Sequence, residues 1–112
     1  MKYIKTYDSI GELPKLKKYI VWQLENIGFD IYVVFEVLDI YFNLKRINVD
    51  ERIFLKLKRY DAYSDRNKEW LGLEDLIVDR AYYKDEILYQ SDHLEDCISF
   101  AELVPESNKF NI

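Results

Sequence analysis

Between Asp30 and Ile40 the chain places Ile31, Tyr32, Val33, Val34, Phe35, Val37 and Leu38, a run in which both alternating sets of side chains are apolar. An extended backbone sends successive side chains to opposite faces. Such a strand therefore has to be covered on both faces or bent strongly around a barrel axis. Just upstream, Lys17 to Gln23 is rich in β-branched and aromatic residues and runs into Glu25-Asn26-Ile27-Gly28, a turn-forming stretch. The economical arrangement is a long β-hairpin through Gly28.

Further along, Phe42 to Ile47 and Arg52 to Tyr60 flank the polar turn Asn48-Val49-Asp50-Glu51. The second of these alternates: Ile53, Leu55 and Leu57 point one way, and Phe54, Lys56, Lys58 and Tyr60 the other. Asp61 to Lys68 shows no periodicity and reads as an exposed loop that returns to the core at Glu69 and Trp70. Residues 71–81 fit both a helix (Leu73, Leu76, Ile77, Arg80) and a short strand (Leu76-Ile77-Val78), and periodicity does not choose between them. Ile87 to Tyr89 reads as a short strand. Asp92 and Glu95 then open a helix as a cap and its reciprocal partner, with Leu94, Cys97, Ile98 and Ala101 on one face. Pro105 is expected to end that helix, leaving Glu106 to Ile112 as a tail that is frayed or pinned by Phe110 and Ile112.

These segments predict an α+β fold: a small curved antiparallel sheet or SH3-like half-barrel of four or five strands, with one C-terminal helix packed against one opening. At 112 residues and 49% apolar content, the chain has material for one core and is expected to form a single domain over residues 1–112. The longest uninterrupted apolar run, Ile31 to Phe35, is far short of a membrane span. Met1 to Lys5 carries charge but no apolar core or cleavage site of a signal peptide, and the single Cys97 suits a reducing compartment. A cytoplasmic location in a host cell is the expectation.

Candidate chemistry is sparse. His93 and Cys97 are four residues apart on the expected helix, with Asp92 or Asp96 as a third ligand, but the chain has no second Cys or His to complete a zinc site. As a nucleophilic couple the same pair has neither an orienting residue nor a glycine-built oxyanion hole. The acidic groups Glu74-Asp75-Asp79 and Asp92-Glu95-Asp96 have the residue types for acid/base or Mg²⁺ chemistry, yet carboxylates at this density usually form a solvated face. With no phosphate loop, dinucleotide fingerprint, nucleophile elbow or zinc-protease motif, the expectation is a non-enzyme without cofactor or metal.

Charge layout is more informative. Residues 1–60 hold 11 Lys/Arg against 8 Asp/Glu, a balance of +3, and residues 61–112 hold 5 against 13, a balance of −8. An acidic half repels phosphates and attracts basic surfaces, so the field favours a host protein with a basic surface over nucleic acid. The expected partner-binding group is Asp61, Tyr63, Asp65, Glu69 and Trp70, where carboxylates would stand beside aromatic anchors in the exposed loop. The alternative is a single-strand nucleic-acid-binding barrel that uses Phe54, Lys56, Lys58 and Tyr60, with Lys45, Arg46, Arg52 and Arg59 adding charge. Against it stands a pI of about 4.9.

The opening Met1-Lys2-Tyr3-Ile4-Lys5-Thr6-Tyr7 with Leu13-Pro14 and Lys18-Tyr19-Ile20-Val21, and the later Ile87 to Cys97 stretch with Lys109-Phe110-Asn111-Ile112, resemble small uncharacterised proteins of Bacteroidota tailed phages. The resemblance implies a phage-like origin. Small acidic phage proteins often act by binding a host protein, which points toward inhibitors of host defence of the anti-CRISPR kind. The runner-up is a phage structural or accessory protein that assembles through a β-edge.

Overall fold

Asn26 and Phe29 face one another across a tight turn in which Gly28 sits at φ +85°, a left-handed conformation that favours glycine. The computed structural model describes residues 13–26, 28–44 and 51–110. From this turn β1 (Tyr19–Asn26) and β2 (Phe29–Leu44) run antiparallel, as the hairpin reading predicts. β2 continues through Phe42 without the break expected there, and residues 45–50 lie outside the described residues.

β3 (Glu51–Ser64) pairs with β2 along its whole length. Its other edge is shared by β5 (Leu76–Ala81), opposite Phe54 to Arg59, and by β4 (Glu69–Trp70), opposite Tyr63 and Ser64. β6 (Ile87–Ser91) pairs antiparallel with β1, so the path through the sheet is β4-β3-β2-β1-β6, with β5 also on β3. The open choice over residues 71–81 thus resolves as a strand. β3 supplies it with a row of backbone partners, which a helix could not use.

β5 and β6 stand at opposite edges of this sheet, joined only by residues 82–86, of which Lys84–Glu86 form a 3-10 turn. In a flat sheet the two strands would be about 19 Å apart, whereas three extended and three 3-10 steps reach roughly 16 Å. The sheet has to curl. Three bulges supply the bend: Leu38, Tyr60 and Leu88 are each the extra residue at a register shift. All three rank among the exposed large apolar side chains, because a bulged residue drops out of the alternation that would bury it.

Curling makes two cores. On the inner face Ile20, Trp22, Val33, Phe35, Leu55, Leu57 and Ala62 pack together, and residues from both edges, Val78 and Ile87, close over them. Trp22 meets the Phe35 ring edge-on at 6.3 Å, and the Arg80 guanidinium lies 4.9 Å from its ring centre. On the outer face Val21, Tyr32, Val34 and Tyr63 are covered by Cys97 and Ala101 of helix α1 (Leu94–Phe110). The helix lies across β1, β2 and β6, not over the opening of the half-barrel where the sequence reading placed it.

Two further expectations for the helix change. Asp92 does not cap it, since its carboxylate accepts the Lys18 N–H at 3.1 Å. Ser91 works at this end instead: its Oγ accepts the His93 N–H at 3.0 Å and donates to Asp96 at 2.7 Å. Pro105 does not end the helix, which continues to Phe110 and takes in most of the expected tail. A proline removes one rung of the ladder, and the turns on either side keep theirs.

Leu55 is fully buried and Lys56 exposed, as the alternation of Ile53, Leu55 and Leu57 requires. Leu55→Ala is expected to lower unfolding stability by about 2–5 kcal/mol, and Lys56→Ala by less than about 0.5 kcal/mol, in urea melts. Equal, small losses at both positions would mean that the register is wrong.

Candidate functional site

The expected loop from Asp61 to Lys68 is corrected first. β3 extends to Ser64, and the turn is confined to residues 65–68. Tyr63 is 8% exposed and packs in the outer core, its ring 5.3 Å from that of Trp70. Asp61 uses one carboxylate oxygen to accept the N–H groups of Ala62 at 2.7 Å and Leu73 at 3.0 Å. Asp65 accepts the Asp30 N–H at 3.1 Å. Trp70 is half-buried and donates its indole N–H to Glu102 of α1 at 2.7 Å. Of the group Asp61, Tyr63, Asp65, Glu69 and Trp70, Glu69 is the one classed as exposed. The others form a joint that ties β3 and β4 to β2 and the helix.

The basic strand is differently placed from what its sequence suggests. Phe54, Lys56, Lys58 and Tyr60 do share the outward side, and Phe54 packs beside Tyr41 with ring centres 6.1 Å apart. Yet Lys56 stands between Asp39 on β2 and Asp79 on β5, and Lys58 stands next to Glu36 on β2. The Lys58 ammonium lies 3.6 Å from Asp75. Four carboxylates therefore surround two lysines, which leaves this face no excess positive charge for tracking phosphates. Arg59 donates to the Glu74 carbonyl at 2.9 Å. Lys45, Arg46 and the side chain of Arg52 lie outside the described residues. The Tyr41 hydroxyl donates to Asp79 at 2.8 Å, and this bond to a carboxylate holds its pKa above the ordinary phenol value.

The sequence reading took Asp92-Glu95-Asp96 as a solvated face and gave it no part in partner binding; with Glu102, which it did not name, Glu95 and Asp96 form the exposed side of α1. Asp92, Glu95, Asp96 and Glu102 are all exposed, and residues 92–104 contain no Lys or Arg. On the helix the i, i+3 and i+4 spacing lines up Glu95, Asp96 and Glu102 along one stripe beside Ser99 and Leu103, and Asp92 stands just ahead of its first turn. Among the described residues only Asp92 has a cation near it, Lys17 at 3.8 Å. The first-turn acids also sit favourably at the positive end of the helix dipole. The signal was present in the sequence as Asp92-Glu95-Asp96 and needed only the helix rotation that buries Cys97 and Ala101.

His93 is exposed and Cys97 is fully buried, so the two do not converge on a shared ligand position. Among the described residues no three His, Cys, Asp or Glu side chains are grouped to hold a metal ion. Burial, with Asp96 next, pushes the Cys97 thiol from 9.0 up to about 11. Among the described residues no helix is long and apolar enough to cross a membrane. No known protein family, curated protein or solved structure matches the chain.

Two outcomes follow from these bonds. Asp61→Ala, which strands the Leu73 N–H, should cost about 1–3 kcal/mol, while Glu69→Gln should change stability by less than about 0.5 kcal/mol in the same melts. The raised Cys97 pKa favours the folded state while the thiol is protonated in both states. That contribution is complete below pH 9.0 and is lost toward pH 11, as the unfolded thiol ionises first. Native protein at pH 8 should therefore resist Ellman's reagent until denaturant is added, and fast native labelling would contradict the buried placement of Cys97.

Proposed function

We propose that this chain is a non-enzymatic, phage-type inhibitor that binds a basic surface on a host nucleic-acid-handling protein in the host cytoplasm, its acidic face imitating nucleic acid. The observation that carries the reading is the exposed stripe Glu95, Asp96 and Glu102, with Asp92 just ahead of it and no Lys or Arg among residues 92–104. Rows of carboxylates on a rigid helix present a fixed negative field, which speeds encounter with a basic surface and competes with phosphates for it. Glu69 adds to the field from β4, which the Trp70 bond to Glu102 holds against the helix. Asp61, Tyr63 and Asp65 contribute by fixing that joint, in place of the direct contact the loop reading gave them.

The exposed side chains of Leu76 and Ile77 on β5, 48% and 58% accessible, favour a second reading: a phage structural or accessory protein that assembles through this strand. Gel filtration over a concentration series separates the two, because assembly through β5 requires concentration-dependent self-association.

The inhibitor reading is tested with the immobilised chain in a Bacteroidota host lysate. Salt-eluted proteins should bind duplex DNA, and duplex DNA added as competitor should release them. The Glu95→Gln/Asp96→Asn/Glu102→Gln variant should associate with them about tenfold more slowly at low salt, as expected when a steering field is removed. Unchanged capture by that variant, or capture indifferent to DNA, would sink the reading.

A further inference from the structure

Beside the first turn of α1, on the outer face of the sheet, Tyr19, Glu36, Lys58, Tyr60, Asp75 and Leu94 line a hollow of about 190 Å³. That is the volume of about six liquid waters, room for one long side chain and not for a folded segment. Its walls are two phenol rings, one leucine and a short row of charges. Tyr60 is the bulged residue of β3 and is 43% exposed, so its ring stands clear of the strand. Tyr19 already holds a cation near its ring, with the Lys18 ammonium 5.4 Å from the centroid. The charge of Lys58 is taken up by Asp75 at 3.6 Å. Glu36, in register between Tyr19 and Lys58, has no ion-pair partner among the described residues.

We propose that this hollow receives a single arginine side chain of the partner, its guanidinium held between the Tyr19 and Tyr60 rings and paired to the Glu36 carboxylate. A guanidinium fits this wall better than an ammonium does. It is planar, so it stacks on a phenol face, and its fork of N–H donors meets a carboxylate two at a time. The aliphatic stem lies against Leu94. Leu94, the first residue of α1, lines the hollow and Glu95 follows it in the chain, which puts the hollow at the N-terminal end of the acidic stripe. This inference rests on the reading of the partner as basic, and gives that diffuse attraction one specific anchor.

The probe is the blocked tripeptide acetyl-Gly-Arg-Gly-amide, titrated into ¹⁵N-labelled protein, with the citrulline peptide as an uncharged isostere. Saturable shifts are expected at Tyr19, Glu36, Tyr60 and Leu94 with arginine and not with citrulline. Glu36→Gln and Tyr60→Leu should each weaken the apparent Kd about fivefold, the effect of losing one ion pair or one cation–ring contact. Glu95→Gln/Asp96→Asn/Glu102→Gln should leave it within about twofold. Shifts confined to Glu95, Ser99 and Glu102, or equal affinity in the Glu36 and Tyr60 variants, overturn the inference. A parallel titration with hexa-arginine separates it from the acidic-stripe reading. Loss of hexa-arginine binding only in the helix variant keeps the stripe and removes the pocket. Loss only in the Glu36 and Tyr60 variants does the reverse.

Discussion

Everything in this fold answers to the two-sided burial of β2. Val33 and Phe35 belong to the inner core, and Tyr32 and Val34 to the outer one. A single sheet has only one way to cover a face with its own strands, which is to curl, and that covers the inner face alone. The outer face needs a separate layer, and α1 provides it through Cys97 and Ala101. The unusual aromatic content follows from the same demand. The outer layer takes most of the rings, with Tyr32, Tyr63, Trp70 and Tyr89 stacked on Phe100 at 4.5 Å, while the inner core is mainly aliphatic around the Trp22–Phe35 pair.

The curl is held from both ends. Residues 82–86 cannot span a flat sheet, and the Tyr82 N–H bonds the Ile53 carbonyl at 2.8 Å, fixing where that link leaves β5. The bulges at Leu38, Tyr60 and Leu88 let strands bend without breaking the ladder. Their exposed side chains are then a by-product of curvature, and Tyr60 is the one that stands over a hollow.

Periodicity made the sheet legible, and the places where it failed have definite causes. Ile53, Leu55 and Leu57 alternate cleanly, so the burial of Leu55 and Leu57 was readable, while Ile53, near the start of the strand, is only partly buried. The bulge at Tyr60 resets that alternation, turning Ala62 inward and Tyr63 outward to the helix. A strand whose phase shifts once looks aperiodic, which is why Asp61 to Ser64 read as loop and Tyr63 as a surface anchor. Leu76-Ile77-Val78 was undecidable because its strand identity comes from β3, a distant segment. Asp92 fits the cap position by residue type, but Lys18, 74 residues away in sequence, claims its carboxylate. Asp92-Glu95-Asp96 was legible as a solvated face, but its continuation to Glu102 was not, because charges counted by chain half do not show which face each occupies.

That last point decides how the charge split works in space. The bases of β3 and the acids of residues 74–79 are brought together because β3 and β5 pair antiparallel, so Lys56 meets Asp79 and Lys58 comes within 3.6 Å of Asp75. Opposite charges this close cancel beyond a screening length of about 8 Å. Asp75 and Asp79 of the second half are therefore spent on the lysines of β3. On the exposed side of α1 Glu95, Asp96 and Glu102 have no ion-pair partner among the described residues, and they keep their field. Two of them also hold structure, Asp96 through Ser91 and Glu102 through Trp70. An amide in either place still accepts the same hydrogen bond while carrying no charge. Field and fold are for that reason separable at this face, whereas Asp61 and Asp65, each bound to backbone N–H groups in a tight joint, tie the two together.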